Sequence, residues 1–342
     1  MKGARLVTLV VFGCLSINTG CRKESQRVEP VDRAMSWLPP DTETVIAAKG
    51  PFAIPAAMPQ HGSVTDPATN NYVDLLFQSL PMALLDIQDG LLLSHLKGLP
   101  VAAAIEGSRH ARSPHSLGEQ PYEGAAIVIF DSGAVYNSVE LLQALRSSAM
   151  RSEEIEGAHV LVFQQKLEED LWTQFVAFPE KGVLIVATDR GYLEEVLARR
   201  SAVQRAALPD SLPEWKFVDR TEAYWGIRHY DKSQAQSDPS SPFGGQKGAN
   251  FPDELAIGMG FSVSSTNSRR IVLTYLSSDP VMTAANSPLG ILAASPDARG
   301  IDTRFLQIKP GVVQASSSFT TIGSADTFLF FLEGYLGHAI YL

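Results

Sequence analysis

Apolar residues fall in short, dense runs along this chain, and between them lie turns rich in Pro, Gly and acidic residues. From Trp37, the stretch WLPPDTETVIAAKGPF reads as a Pro-rich turn, a strand over 44–48 and a second turn at Gly50 and Pro51. Over 70–93, Tyr72, Val73, Leu76, Phe77 and Leu80 recur at helical spacing behind Asn70 and Asn71, and Pro81 kinks or splits that helix. The runs 101–105 and 125–130 are too uniformly apolar for an exposed strand and predict the interior of a sheet. The segment between them, with Arg109, His110, Arg112 and His115, reads as a basic surface loop.

Asn137 and Glu140 have the spacing of a capping box, with Val139, Leu142 and Leu145 on one face of the short helix that follows. Three strands in meander order come next, over 159–163, 172–178 and 183–187. Asp189 then caps a helix carrying Tyr192, Leu193, Val196 and Leu197.

A second unit begins at the Leu-Pro turn of 208–213. TEAYWGIRHY matches TETVIAAKG, LAIGMGFSV matches AAIVIF, RRIVLTYLSS matches HVLVFQQ, and FLQIKPGVVQASSS matches FVAFPEKGVLIVAT. The expected fold class is therefore α+β: two similar units of antiparallel-rich sheet covered by helices, related by internal duplication, over 37–207 and 208–342. The polar segment 232–250 is a loop inside the second unit. The final run places Phe328, Phe331, Leu332, Tyr335, Ala339 and Leu342 on one stripe of an almost wholly apolar helix, a core element or a contact for an envelope protein partner.

The first residues change the picture most. Lys2 and Arg5 precede an apolar stretch over 6–17, shorter than the roughly 20 residues that span a bilayer. That predicts a signal peptide over 1–20. Removing it takes away two basic side chains and no acidic one, which makes the body more acidic than the chain's overall net charge of −9. Such a body repels phosphate backbones, so nucleic acid is not an expected partner.

Thr19 and Gly20 immediately before Cys21 resemble the lipobox of bacterial lipoproteins, with Asn18 where that family usually has an apolar residue. The resemblance implies acylation of Cys21, a polar tether over 21–36 and a membrane partner held through the lipid. With Arg22 rather than Asp after the cysteine, it implies the outer membrane, facing the periplasm or the cell surface. Cys14, preceded by Val11 and Gly13, is a rival acceptor. The chain has two cysteines, so cleavage before Cys21 leaves no pair for a disulfide within one chain. The Leu-Pro-Pro-Asp-Thr opening is also similar to bacterial envelope proteins built from repeated units, a likeness of turn grammar that implies no activity.

Candidate chemistry is sparse. The chain lacks HExxH, GxSxG and the phosphate-binding GxxxxGK[ST], and Gly258 and Gly260 lack the third glycine of a dinucleotide turn. No metal or cofactor is expected, since the spacing of His110 and His115 is not a ligand pattern. The acidic groups Glu153, Glu154 and Glu156, and Glu168, Glu169 and Asp170, suit hairpin ends better than calcium loops. Along 224–230, Tyr224, Arg228 and Tyr230 share one strand face while Trp225, Ile227 and His229 share the other, so the first set is a candidate ligand face. The sequence favours a non-enzymatic binding or assembly module. A tethered hydrolase using dispersed residues such as Arg228 and His229 is one alternative, and a solute carrier hinged near 207–213 is another.

Overall fold

A computed structural model describes residues 28–53, 96, 98–110, 122–131, 139–167, 170–201, 212–229, 258–263, 270–276 and 301–319. A short helix, α1 (Pro30–Met35), precedes β1 (Thr44–Ala53), β2 (Pro100–His110) and β3 (Tyr122–Phe130). Helix α2 (Val139–Ser148) leads into β4 (Arg151–Ile155), β5 (Ala158–Leu167), β6 (Asp170–Glu180) and β7 (Val183–Ala187), followed by α3 (Arg190–Ser201). A 3-10 turn, Pro213–Phe217, precedes β8 (Tyr224–His229), β9 (Gly258–Val263), β10 (Arg270–Leu276), β11 (Ile301–Lys309) and β12 (Val312–Phe319).

The twelve described strands join one sheet in the order β11-β12-β10-β9-β8-β1-β2-β3-β7-β6-β5-β4, and each pairing is antiparallel. This corrects the expected helix-covered α+β fold: the protein is mostly β. The apolar runs mark only the middles of the strands. β2 continues beyond its apolar stretch through Glu106, Ser108 and Arg109 to His110, and β4, with sequence RSEEI, has no apolar run at all. Ladder hydrogen bonds extend a strand through polar positions that periodicity alone assigns to loops.

The seam between the two sequence units is the β1–β8 ladder, centred on Ile46 opposite Gly226. Outward from it the order is β1-β2-β3-β7-β6 on one side and β8-β9-β10-β12-β11 on the other, the same winding in both directions. Sheet position therefore equates β9 with β2 and β10 with β3, whereas the sequence parallels had set them against β3 and β5. The sheet runs unbroken across the seam, which is not the arrangement of a hinged solute carrier.

The core lies on one face of the eight strands from β8 to β4. Val45, Ile105, Ile127, Val160, Phe175, Ile185, Trp225 and Ile227 are buried there beneath Val31, Ala34 and Met35 of α1 and Tyr192, Leu193, Val196 and Leu197 of α3. α1 thus stands within the polar tether expected over 21–36, with three side chains buried. Asp189 does cap α3, its Oδ1 accepting from the Tyr192 amide at 2.7 Å. The opposite face is buried too, at Ile46, Ala104, Ala126, Val128, Leu161, Val176, Leu184 and Val186. That accounts for strands with no polar alternation.

Two glycines set close approaches. A Cβ at Gly50 would lie 2.2 Å from the Val101 carbonyl oxygen, at the irregularity where β1 shifts register between Lys49 and Phe52. A Cβ at Gly107 would meet Leu38 Cδ2 at 2.6 Å and the Tyr192 hydroxyl at 2.9 Å. At Gly107, Tyr192 of α3 and Leu38 after α1 lie directly against the sheet.

Candidate functional site

The strand face picked out from the sequence is buried at the two of its residues that the structure describes. Tyr224 is 2% exposed and Arg228 5%, and both residues have interaction partners. Tyr230 lies outside the described residues, as do Cys21, Cys14, His115, Glu168, Glu169 and the C-terminal apolar run. Trp225 and Ile227 occupy the core face, as the two-residue period requires.

That core face of β8 holds the better-built polar arrangement. The 3-10 turn starts with Pro213, whose ring pre-sets the first dihedral, and lies across the strand. Its Glu214 is completely buried, and the carboxylate Oε1 is 2.8 Å from His229 Nδ1. The His229 side chain is 30% exposed. Glu214 Oε2 is buried without a hydrogen-bond partner. Trp215 meets Trp225 edge-to-face at 5.9 Å between ring centres. The Arg220 guanidinium lies 5.7 Å from one ring centre and 5.4 Å from the other, and it bonds Asp32 of α1 at 2.6 Å. An edge-to-face aromatic contact, two cation–π contacts and a buried carboxylate link the turn to the strand.

Arg109, expected in a surface loop, is the last residue but one of β2 and only 3% exposed. It donates to Asp41 at 2.7 Å, Glu123 at 2.9 Å and both oxygens of Glu195, at 3.2 and 2.9 Å. These contacts hold its pKa above the ordinary arginine value against the opposing effect of burial. The acidic group at β4 is also engaged: Arg190 of α3 bridges Glu153 at 2.9 Å and Glu194 at 2.8 Å. Both arrangements tie helix to sheet. Among the described residues no group of three or more His, Cys, Asp or Glu side chains can hold a metal ion, and no helix is long and apolar enough to cross a membrane.

Among the described residues, an accessible feature is β11, the last strand in the order. Every residue from Arg304 to Pro310 is exposed, with Phe305 at 44%, Leu306 at 63% and Ile308 at 44%. Its neighbour β12 buries Val312, Val313 and Ala315. Among the described strands β11 pairs only with β12 and stands last in the order, the position from which a sheet is extended. Sequence reasoning missed this edge because FLQIKP alternates as a half-buried strand does, and only sheet order shows which strand is last. No family model, no curated protein and no solved structure matches the chain.

Proposed function

We propose that the chain is an exported lipoprotein, anchored in the bacterial envelope through acylated Cys21, whose body is a non-enzymatic binding or assembly module. The observation that carries the module is β11, which pairs only with β12 among the described strands and exposes Phe305, Leu306 and Ile308. The anchor rests on the basic start, the short apolar stretch and the lipobox-like residues before Cys21. Two or three acyl chains hold a protein firmly, since each buried methylene contributes about 0.8 kcal/mol.

Growth with a labelled fatty acid should mark the native chain and leave Cys21→Ser unmarked and in the soluble fraction. Crosslinking in intact cells, followed by detergent extraction, should recover a defined assembly. A mature chain without lipid removes the anchor, and a chain recovered without any partner removes the module.

A second reading, a tethered hydrolase, draws on Glu214 and His229. A buried carboxylate at Nδ1 fixes an imidazole's tautomer, the relation on which general-base catalysis by histidine depends. Hydrolysis of an ester or glycoside panel that is lost in Glu214→Gln would favour it.

A further inference from the structure

We infer that the surface around α1 lies against an anionic lipid bilayer, held there by its basic side chains when Cys21 is anchored. The inference rests on the reading of Cys21 as the acylated residue and says which face of the body that anchor presents to the membrane.

Chain length brings this face to the lipid. The polar tether expected over 21–36 ends early, because α1 starts at Pro30 and buries Val31, Ala34 and Met35 in the core. From Cys21 to Val28 there are seven chain steps, which span roughly 25 Å at full extension. A tether running to residue 36 would reach roughly twice as far. Attraction between charges fades within about 8 Å at physiological salt, so a short tether is what lets the charges near α1 act.

Charge then selects the orientation. Four arginines gather at α1. Arg33 bonds Glu180, Arg200 approaches the same carboxylate at 3.9 Å, Arg199 donates to the Ser36 carbonyl at 3.3 Å, and Arg220 pairs with Asp32. Lys181, in the turn after Glu180, is exposed. These five cations stand against three carboxylates, Glu29, Asp32 and Glu180, so pairing inside the patch leaves it positive. Arg33 and Arg220 keep 41% and 37% of their side chains in solvent beside their partners.

The tether adds Arg22, Lys23 and Arg27 against Glu24. Eight basic residues against four acidic thus surround the point of attachment, on a chain whose net charge is −9. An anionic surface attracts this region and repels the remainder, which turns α1 toward the lipid. Val28, 63% exposed beside the tether, places apolar surface at the same point.

The test uses the chain from Cys21 onward, which contains every described residue and a single thiol. Coupling that thiol to a maleimide-bearing lipid sets the anchor whether or not a cell acylates it, so a missing fatty-acid label in cells and a failure here are separate results. The vesicles are phosphatidylcholine alone, or phosphatidylcholine and phosphatidylglycerol in equal parts. On the anionic vesicles, modification of Lys181 by a water-soluble amine reagent should slow roughly tenfold relative to the neutral ones and recover as salt rises. Lys309, exposed on β11, should react equally on both. Lys181→Glu with Arg199→Gln should abolish the accompanying slowing of hydrogen exchange in α1, with circular dichroism unchanged, and Lys181→Glu alone should reduce it if the double variant does not fold. Equal Lys181 rates on the two vesicles, slowing at Lys309 instead, or α1 exchange as slow in the folded charge variants as in wild type would each overturn the inference.

Discussion

The guanidinium of Arg109 lies 5.0 Å from the centre of the Tyr192 ring, and the Tyr192 hydroxyl is 2.8 Å from Thr42 Oγ1. One cation thus joins the end of β2 to α3 while three carboxylates share its charge. Arg109→Leu leaves Asp41, Glu123 and Glu195 facing one another with no cation. Breaking a buried pair by removing one partner costs about 3–5 kcal/mol. With Asp41 44% and Glu195 33% exposed, the lower end applies. Urea denaturation should show a loss of about 3 kcal/mol, and a loss below about 1 kcal/mol would show that water does the same work.

Burial raises the Tyr192 phenol above its ordinary pKa, against the opposing effects of Thr42 and Arg109. The sign for stability follows from the neutral form being the one that fits the fold. The contribution is fully present below the unfolded tyrosine value, near 10, and is lost as pH rises beyond it, because the unfolded chain then releases a proton that the folded chain keeps. Ultraviolet titration should find a tyrosine component that ionises only with alkaline unfolding, and Tyr192→Phe should reduce that component by one residue.

At Gly50 the obstacle to a side chain is backbone, the carbonyl oxygens of Val101 and Ala102 at 2.2 and 2.6 Å. At Gly107 it is two side-chain methyls and a hydroxyl, which can shift. Overpacking costs about 1–3 kcal/mol where neighbours can move. Gly107→Ala should fall in that range by thermal denaturation, and Gly50→Ala should cost more. Equal losses would mean that β1 and β2 can part as easily as Leu38 can turn.

How far the sequence could be read follows from the same residues. The period-2 and all-apolar runs located β3, β5, β6 and β7, and Asp189 marked the start of α3, because those signals are local. Arg109 looked like a loop residue because its carboxylate partners lie far away, at Asp41, Glu123 and Glu195, where no spacing rule reaches. Tyr224 and Arg228 were placed correctly on one face, yet periodicity cannot tell a buried second face from an exposed one. β4 and the outer edge at β11 depend on which strand ends the sheet, a property of pairing order and not of any single segment.

Glu214 offers a test of the turn across β8. Glu214→Gln keeps an acceptor for a protonated His229 Nδ1, whereas Glu214→Ala removes the bond and empties a fully buried position of the turn. Losing a buried hydrogen bond of this kind costs about 1–3 kcal/mol. Tryptophan fluorescence should shift to the red in Glu214→Ala as Trp215 loosens from Trp225, and remain near wild type in Glu214→Gln. A red shift in both would mean that charge, not the hydrogen bond, holds the turn.

His159 gives the acid side of the pH profile. Burial lowers its pKa, the positive charge of Arg146 lowers it further, and Glu154 works the other way. Arg146 Nε donates to His159 Nε2 at 3.2 Å, which requires that nitrogen to be unprotonated. The neutral ring therefore belongs to the folded state, and its contribution is complete above the free histidine value, near 6.5. As pH falls below that value, the unfolded chain takes up a proton that the folded chain refuses, so stability declines until the lowered folded pKa is passed and then levels off. Proton NMR should place the His159 midpoint below that of a free imidazole, and Arg146→Gln should move it upward. A midpoint unmoved by that substitution would leave burial as the sole cause.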